Sequence, residues 1–436
     1  MKRMVLLAGA LIVAALLLAG CTSQPQAGDE LKIGVVASMT GPASTTGKDI
    51  WQSAVIAADE INAGGGVYVK ELGRSVPVTV ILGDDESTRE GGQKAVTRLI
   101  TEDKVDALVG GFSSAVVSAH EPIVSENGVP YIVTGASSPV ITHRTDANTS
   151  GIFHHCPTTD DYGMQTTLFA SEVIRPAINE KFGFSSDRPL RLALVYQDSP
   201  YGKGVQSAVE STIANQNLPV IIVANETFKM GETDYHTILT SVKAAEPDVV
   251  YAAAFLNEQV PMVIQARRDV GLNAIFMAVE CNDDPDYYAG VGQYGDGSII
   301  ESRFSPYVVP PGPLSDDLAA FQDAYQKKWG GFPGMMGAST YEGVYIIKQA
   351  VENAGTENKP AVIESLGTLQ MSPIIESMQG GEIAFSPDFR ESKFDLFMEQ
   401  LRWNQTSQVV RPVIVWPDNL QQEPFALPDW FEPGKA

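Results

Sequence analysis

The chain predicts an α/β fold of two Rossmann-like lobes, each built on a parallel sheet. Short β-branched runs alternate with segments of helical apolar spacing, and this rhythm stops and then restarts in the second half. The length, 436 residues, exceeds what one compact core organises and suits two lobes. Strands alternating with helices require crossover connections, and so parallel sheets covered on both faces.

Residues 31–37 (LKIGVVA) read as a buried strand, followed by the turn Met39-Thr40-Gly41-Pro42. Ala54, Ala57, Ala58 and Ile61 fall at i, i+3, i+4 and i+7, one face of a helix that Gly64-Gly65-Gly66 closes. A strand at 78–82 follows, then a helix marked by Ala95, Val96, Leu99 and Ile100, and a strand at 107–109. A helix over about 114–127 leads to a strand at 130–133. The second run has strands at 190–196, 220–224, 249–253 and 274–277, with a helix over 205–213 after the first. Residues 306–314 are proline-rich and read as a loop. A helix carrying Leu318, Phe321 and Tyr325 comes next, and another spans about 339–354.

The N-terminus has its own logic. Lys2 and Arg3 precede an apolar run over 5–18 that ends in Leu18-Ala19-Gly20-Cys21. A basic start, a short apolar stretch and small residues at the cut describe an export signal. The last four residues resemble the lipobox of prokaryotic lipoproteins, which implies cleavage before Cys21 and a lipid on its side chain. Residues 1–20 are then a leader, 21–30 a lipidated tether, and the remainder is anchored to the outer face of the cell membrane. An uncleaved anchor is the weaker alternative, because the run is shorter than the roughly 20 residues that span a bilayer.

Acidic residues outnumber basic ones 53 to 30, a net charge of −23. Such a surface repels nucleic acid and anionic headgroups, so nucleic acid is excluded as a partner and membrane contact is expected through the lipid alone. Beyond Cys21 only Cys156 and Cys281 remain, which allows one disulfide at most and leaves their pairing open.

Enzyme signatures are missing: the sequence has no G-x-S-x-G elbow, no H-E-x-x-H and no P-loop. Residues 290–295 (GVGQYG) fit G-x-G-x-x-G by letters, but no strand leads into them and they read as a loop. His154 and His155 are adjacent in an extended segment and face opposite ways, so they do not chelate one ion together. The acid-rich run 281–286 lacks the glycine and distal glutamate of a calcium loop. Both segments read as solvated loops, and neither metal nor cofactor is expected.

Ligands of open α/β sheets bind beyond the carboxyl ends of the strands. Two such loops, Gly110-Gly111-Phe112-Ser113-Ser114 and Thr134-Gly135-Ala136-Ser137-Ser138, pair small residues with hydroxyls. Exposed N–H groups and hydroxyls suit a carboxylate; the plainer alternative is helix capping by the serines. In the second half, Tyr201, Phe255 and Glu280 each follow a strand. Aromatics and one carboxylate suit an apolar body and an ammonium group, against the alternative of core packing.

These residues, in this order, resemble the type I periplasmic solute-binding proteins, specifically the leucine/isoleucine/valine-binding group of ABC importers. The resemblance is carried by IGVVASMTGPASTTGKDIWQSAVIAADEINAGGG, VDALVGGFSSAVVSAHEPIVSENGVPYIVTGASSP, LALVYQDSPYGKG and STYEGVYIIKQAVENAG, and runs from about Leu31 to about Trp416. It implies a three-segment hinge, with 31–152 plus 303–385 in one lobe and 153–302 plus 386–436 in the other. It implies that Ser114 and Ser137 hold a ligand carboxylate, with backbone contacts from Gly135 and Ala136. Tyr201 then covers the ligand, Phe255 replaces a tyrosine, and Glu280 receives the ammonium group. Thr45 and Thr46 stand where an aromatic residue lines the side-chain pocket. The implied partners are a small-molecule ligand, an amino acid by preference, and a membrane permease, with the protein itself a monomer. Phe255 and the two histidines keep an amide, urea or aromatic acid open as ligand; a sensing receptor subunit is the alternative of another class. A buried carboxylate without a cation is costly, so a Glu280 facing the cleft calls for a cationic group on the ligand.

Overall fold

The computed structural model describes residues 30–308 and 314–434. The expected leader, Cys21 and nearly all of the tether lie outside the described residues. The first sheet is five-stranded and wholly parallel, in the order β4-β1-β5-β6-β7. Its strands are β1 (Leu31–Ala37), β4 (Val78–Asp84), β5 (Ala107–Gly110), β6 (Tyr131–Val133) and β7 (Ile152–His154). A hairpin of β2 (Val67–Val69) and β3 (Arg74–Val76) stands apart.

The second sheet has seven strands, β14-β13-β12-β11-β10-β8-β9. They are β8 (Leu190–Gln197), β9 (Val220–Phe228), β10 (Val249–Ala253), β11 (Ile275–Ala278), β12 (Ile299–Ser302), β13 (Phe397–Asn404) and β14 (Val409–Trp416). The run from β9 to β12 is parallel, and β13 and β14 join antiparallel at its edge.

Period-two alternation explains the layering. In the first sheet Leu31, Ile33 and Val35 of β1 pack with Ile50, Ala54 and Ala57 of α1 (Ser44–Ala63). Val36, Leu108 and Tyr131 turn the other way, onto Val96 and Leu99 of α2 (Arg89–Thr101) and Val117 of α3 (Ser114–Glu126). The second sheet repeats the scheme: Leu192 and Leu194 pack with Val205 and Val209 of α5 (Pro200–Gln216), while Ala193 and Val195 face Met262 and Val263 of α6 (Leu256–Ile264). Helix α4 (Thr159–Phe169) opens the second half behind a capping box at Thr158. The chain returns after β12 to place α7 (Ser315–Trp329) and α8 (Met335–Ala354) with the first sheet. Each fully buried aliphatic side chain contributes about 1.5–3 kcal/mol.

The sequence expectations for β1 and for the strand at 249–253 coincide with the observed bounds. Residues 290–295 differ: they close the helix Pro285–Val291 and continue as the 3-10 turn Gly292–Gly295, so the glycines serve a helix end and not a nucleotide loop. No described helix is long and apolar enough to cross a membrane.

Candidate functional site

In both sheets the first strand of the run, β1 or β8, has its sequence successor on one side and the following strand on the other, which makes a topological switch point. The loops from the carboxyl ends of β5, β6, β8, β10 and β11 converge between the sheets on one small cavity. Its lining includes Phe112, Gly135 and Ser137 from the first half, Tyr201, Phe255 and Glu280 from the second, and Met336 from α8.

The first-half wall is built by close approach. A Cβ on Gly135 would lie 3.1 Å from both Met336 Sδ and a Phe112 ring carbon, so a larger residue in the loop after β6 would press on those two side chains. Ser137 is buried, lines the cavity, and its hydroxyl has no hydrogen bond among the described residues. Ser114 sits one layer behind: its Oγ accepts from Ser138 N–H at 3.2 Å and thereby shapes the loop. Ala136 also lies behind the lining; its N–H donates to Gly111 O at 3.0 Å, and its carbonyl accepts from His154 Nε2 at 2.5 Å. The structure thus brings Gly135, Ser137, Tyr201, Phe255 and Glu280 to one cavity, while Ser114 and Ala136 support it.

The apolar wall is a cluster of aromatic rings. Phe255 lies 4.5 Å from Phe112 and 5.6 Å from Tyr201, centroid to centroid. The Tyr201 hydroxyl points to Cys281 Sγ at 4.0 Å. The enclosed space is about 10 Å³, room for roughly one water. A larger ligand enters only when the lobes part or these rings turn. At the rim the two halves already touch: Asn257 Nδ2 donates to Pro42 O at 2.7 Å, and Thr45 Oγ1 lies 3.2 Å from Asn257 Oδ1. Thr45 therefore bridges the halves and does not line this cavity; it borders a separate crevice of about 150 Å³ with Asp49, Asp284 and Asp286.

Glu280 is 1% exposed, and its surroundings correct the premise that it lacks a cation. Arg303 Nη1 donates to both of its oxygens, at 2.8 and 2.6 Å, and the Tyr162 hydroxyl donates to Oε1. Burial raises the Glu280 carboxyl above its ordinary pKa, and the Arg303 charge opposes that shift. Sequence reasoning missed Arg303, Tyr162 and Met336, and named Phe112 only as part of the loop 110–114. Arg303 stands 23 residues from Glu280, and only the pairing of β11 with β12 brings the two strand ends together.

The two segments read as solvated loops are buried, apart from half-buried Pro285 and exposed Asp286. His154, His155, Asn282 and Asp283 have 0% exposure. His155 Nε2 contacts Glu342 at 3.1 Å and Glu376 at 3.3 Å, and these three donor atoms lie within 4.8 Å of one another. Arg303 Nε donates to the same Glu376 at 2.7 Å. A cation there would abut a guanidinium, so the cluster is an ion network. Cys156 and Cys281 are free and buried, so the open question of a disulfide resolves to two thiols.

The family described as periplasmic binding protein matches residues 30–402. The chain belongs to the periplasmic binding protein family. As a periplasmic binding protein it belongs among proteins that bind and release ligands and is not an enzyme. It is 25% identical over 354 residues to a Leu/Ile/Val-binding protein of Rhizobium johnstonii, covering 81% of this chain and 87% of that one. Among solved structures it resembles the branched-chain amino acid transporter substrate binding protein of Streptococcus pneumoniae in complex with isoleucine. That likeness has a TM-score of 0.72 at 23% identity and covers 88% of this chain and 99% of the other. An ABC transporter solute binding protein of R. palustris in complex with benzoate matches with TM-score 0.70 at 17% identity, over 90% and 99% of the two chains. At these identities the solved structures establish that this periplasmic binding protein has the two-lobed type I fold.

Proposed function

We propose that this protein is the extracytoplasmic substrate-binding component of an ABC importer. It binds a branched-chain or other apolar amino acid between its lobes and presents it to the permease, held at the membrane by a lipid on Cys21. One juxtaposition carries the ligand class: the unpartnered Ser137 hydroxyl and the Glu280 carboxylate line one cavity from opposite halves, with aromatic rings between them. A carboxylate at Ser137 and the Gly135 loop, an ammonium group at Glu280 and an apolar body against Phe255 match that order. The Leu/Ile/Val-binding name of the Rhizobium relative and the isoleucine in the Streptococcus structure support the same class. Hydrogen bonds to charged groups contribute about 1.5–3 kcal/mol each, enough for micromolar affinity after ordering costs.

The lobes, 31–152 with 303–385 and 153–302 with 386–436, close on the ligand about the stretches that join them. Contacts made only in the closed form shift the equilibrium toward it. The protein acts as a monomer in this scheme.

A second reading, an aromatic acid, is favoured by the clustered rings of Phe112, Phe255 and Tyr201 and by the benzoate in the R. palustris structure. A thermal-shift screen of protein freed of ligand by unfolding and refolding separates the two. Stabilisation by leucine, isoleucine or valine is expected. Stabilisation by benzoates alone replaces the amino acid with the aromatic acid, and stabilisation by none of these, nor by urea or short amides, overturns the proposal.

A further inference from the structure

Behind the cavity runs a chain of buried charges that touches both sheets. Glu280 follows β11, Arg303 follows β12, His155 follows β7, Glu342 lies on α8, and Glu376 lies on the irregular stretch before β13. All five side chains are 0–1% exposed. Arg303 bridges Glu280 and Glu376, and His155 bridges Glu376 and Glu342. His155 Nδ1 also meets Ser392 Oγ at 3.0 Å, so the network reaches each stretch by which the chain passes between the sheets.

The charges do not balance. Three carboxylates face at most two cations, Arg303 and a protonated His155. The other ionisable groups acting on Glu280 or feeling its charge are Tyr162, Tyr251, Cys281, Asp283 and Glu301, none of which is cationic. A buried surplus charge is costly, so the network holds one proton or takes one further cation. All three acids have protein partners, and Glu280 accepts from Arg303 on both oxygens and from the Tyr162 hydroxyl. Glu376 lies between Arg303 and His155, and Glu342 accepts from His155 and from the N–H groups of Ile374 and Ile375 at 2.7 and 3.1 Å. Glu280 alone of the three lines the cavity.

We infer that ligand binding is linked to proton release. Glu280 carries the proton that balances the network in the unliganded protein, and a ligand ammonium group displaces it to solvent while its N–H takes up a bond to the carboxylate. Arg303 and His155 act as positioning residues that tie this exchange to the joining stretches. Burial raises the carboxyls of Glu280 and Glu342 alike, whereas at Glu376 the opposing charges of Arg303 and His155 outweigh burial and hold it at about 2; of the two raised acids only Glu280 lines the cavity.

The inference rests on the cavity being the amino-acid site, and the experiment separates the two. Leucine, and 4-methylpentanoate, which lacks its ammonium group, are titrated calorimetrically into the refolded protein at about pH 5.5 and pH 8, in buffers of different ionisation enthalpy. Leucine is expected to release a substantial fraction of one proton at the lower pH and less at the higher, with affinity rising with pH by up to tenfold per unit while Glu280 is protonated. The deaminated acid is expected to release none. Glu342→Gln removes the surplus charge away from the ligand and is expected to abolish the release. Leucine binding without proton release and with the same affinity at both values overturns the inference and leaves the amino-acid site standing. Absence of leucine binding overturns both.

Discussion

Phe112 and Phe255, from opposite halves of the molecule, meet at a centroid distance of 4.5 Å in the lining of the cavity. Phe255 also stacks on Tyr201, so one ring serves as partition and as lid. Phe255→Ala removes both contacts, each worth about 0.5–1.5 kcal/mol. Affinity for leucine is expected to fall roughly tenfold, and affinity for a bulkier apolar amino acid such as tryptophan to fall less. Calorimetric titration of both ligands into the variant checks this; equal losses would place Phe255 in the core and not on the ligand.

Ser137 and Ser114 have different partners and so different expected roles. Ser137→Ala removes an unpartnered hydroxyl from the lining and is expected to weaken amino-acid binding by about 1.5–3 kcal/mol, the range for a bond to a charged group. Ser114→Ala removes only the acceptor of Ser138 N–H and is expected to cost less affinity and more thermal stability. Binding constants and melting temperatures of the two variants distinguish the roles.

The crevice at the rim predicts a pH dependence. Burial pushes the Asp49 carboxyl from 3.8 up to about 7. Asp284 is raised as well, by burial first and then by Asp49 itself. Both carboxylates crowd Gly334, where a Cβ would lie 2.4 Å from Asp284 Oδ2 and 3.1 Å from Asp49 Oδ2. A carboxyl raised in the folded state favours the protonated form, so its share of stability is full below about pH 4 and is lost as pH rises through 7. Asp49→Asn keeps the shape without the charge. It is expected to raise the melting temperature relative to the parent at pH 8 and to leave it nearly unchanged at pH 4.

Cys156 and Cys281 are both buried thiols. Neither is expected to react with a thiol reagent in the native protein, and both react after denaturation. A reducing agent is expected to leave the melting temperature unchanged. One disulfide's worth of stabilisation lost on reduction would contradict this pairing state.

The parallel strands and the helices beside them were legible because their cues are local: β-branched runs such as 31–37 and helical spacing such as Ala54, Ala57, Ala58 and Ile61. The loops at strand ends were legible for the same reason, and Gly135, Ser137, Tyr201, Phe255 and Glu280 all reach one cavity. The ion network was not legible. His155, Arg303, Glu342 and Glu376 are far apart in the chain; of these the sequence draws attention to His155 alone, and only the return of α8 and of the stretch before β13 brings the four together. The acid-rich run 281–286 misled for a related reason. Charge suggested solvent, but Asp283 is inside, where its carboxylate accepts from the Tyr288 hydroxyl and its carbonyl from Met335 N–H at 3.0 Å.

If the proposed function holds, the cavity between Ser137 and Glu280 is an amino-acid site. Titration of leucine, isoleucine and valine into refolded protein near neutral pH tests it most directly. One site per chain with a micromolar dissociation constant is expected, weakened by Ser137→Ala. Heat from benzoate with none from the three amino acids would contradict it.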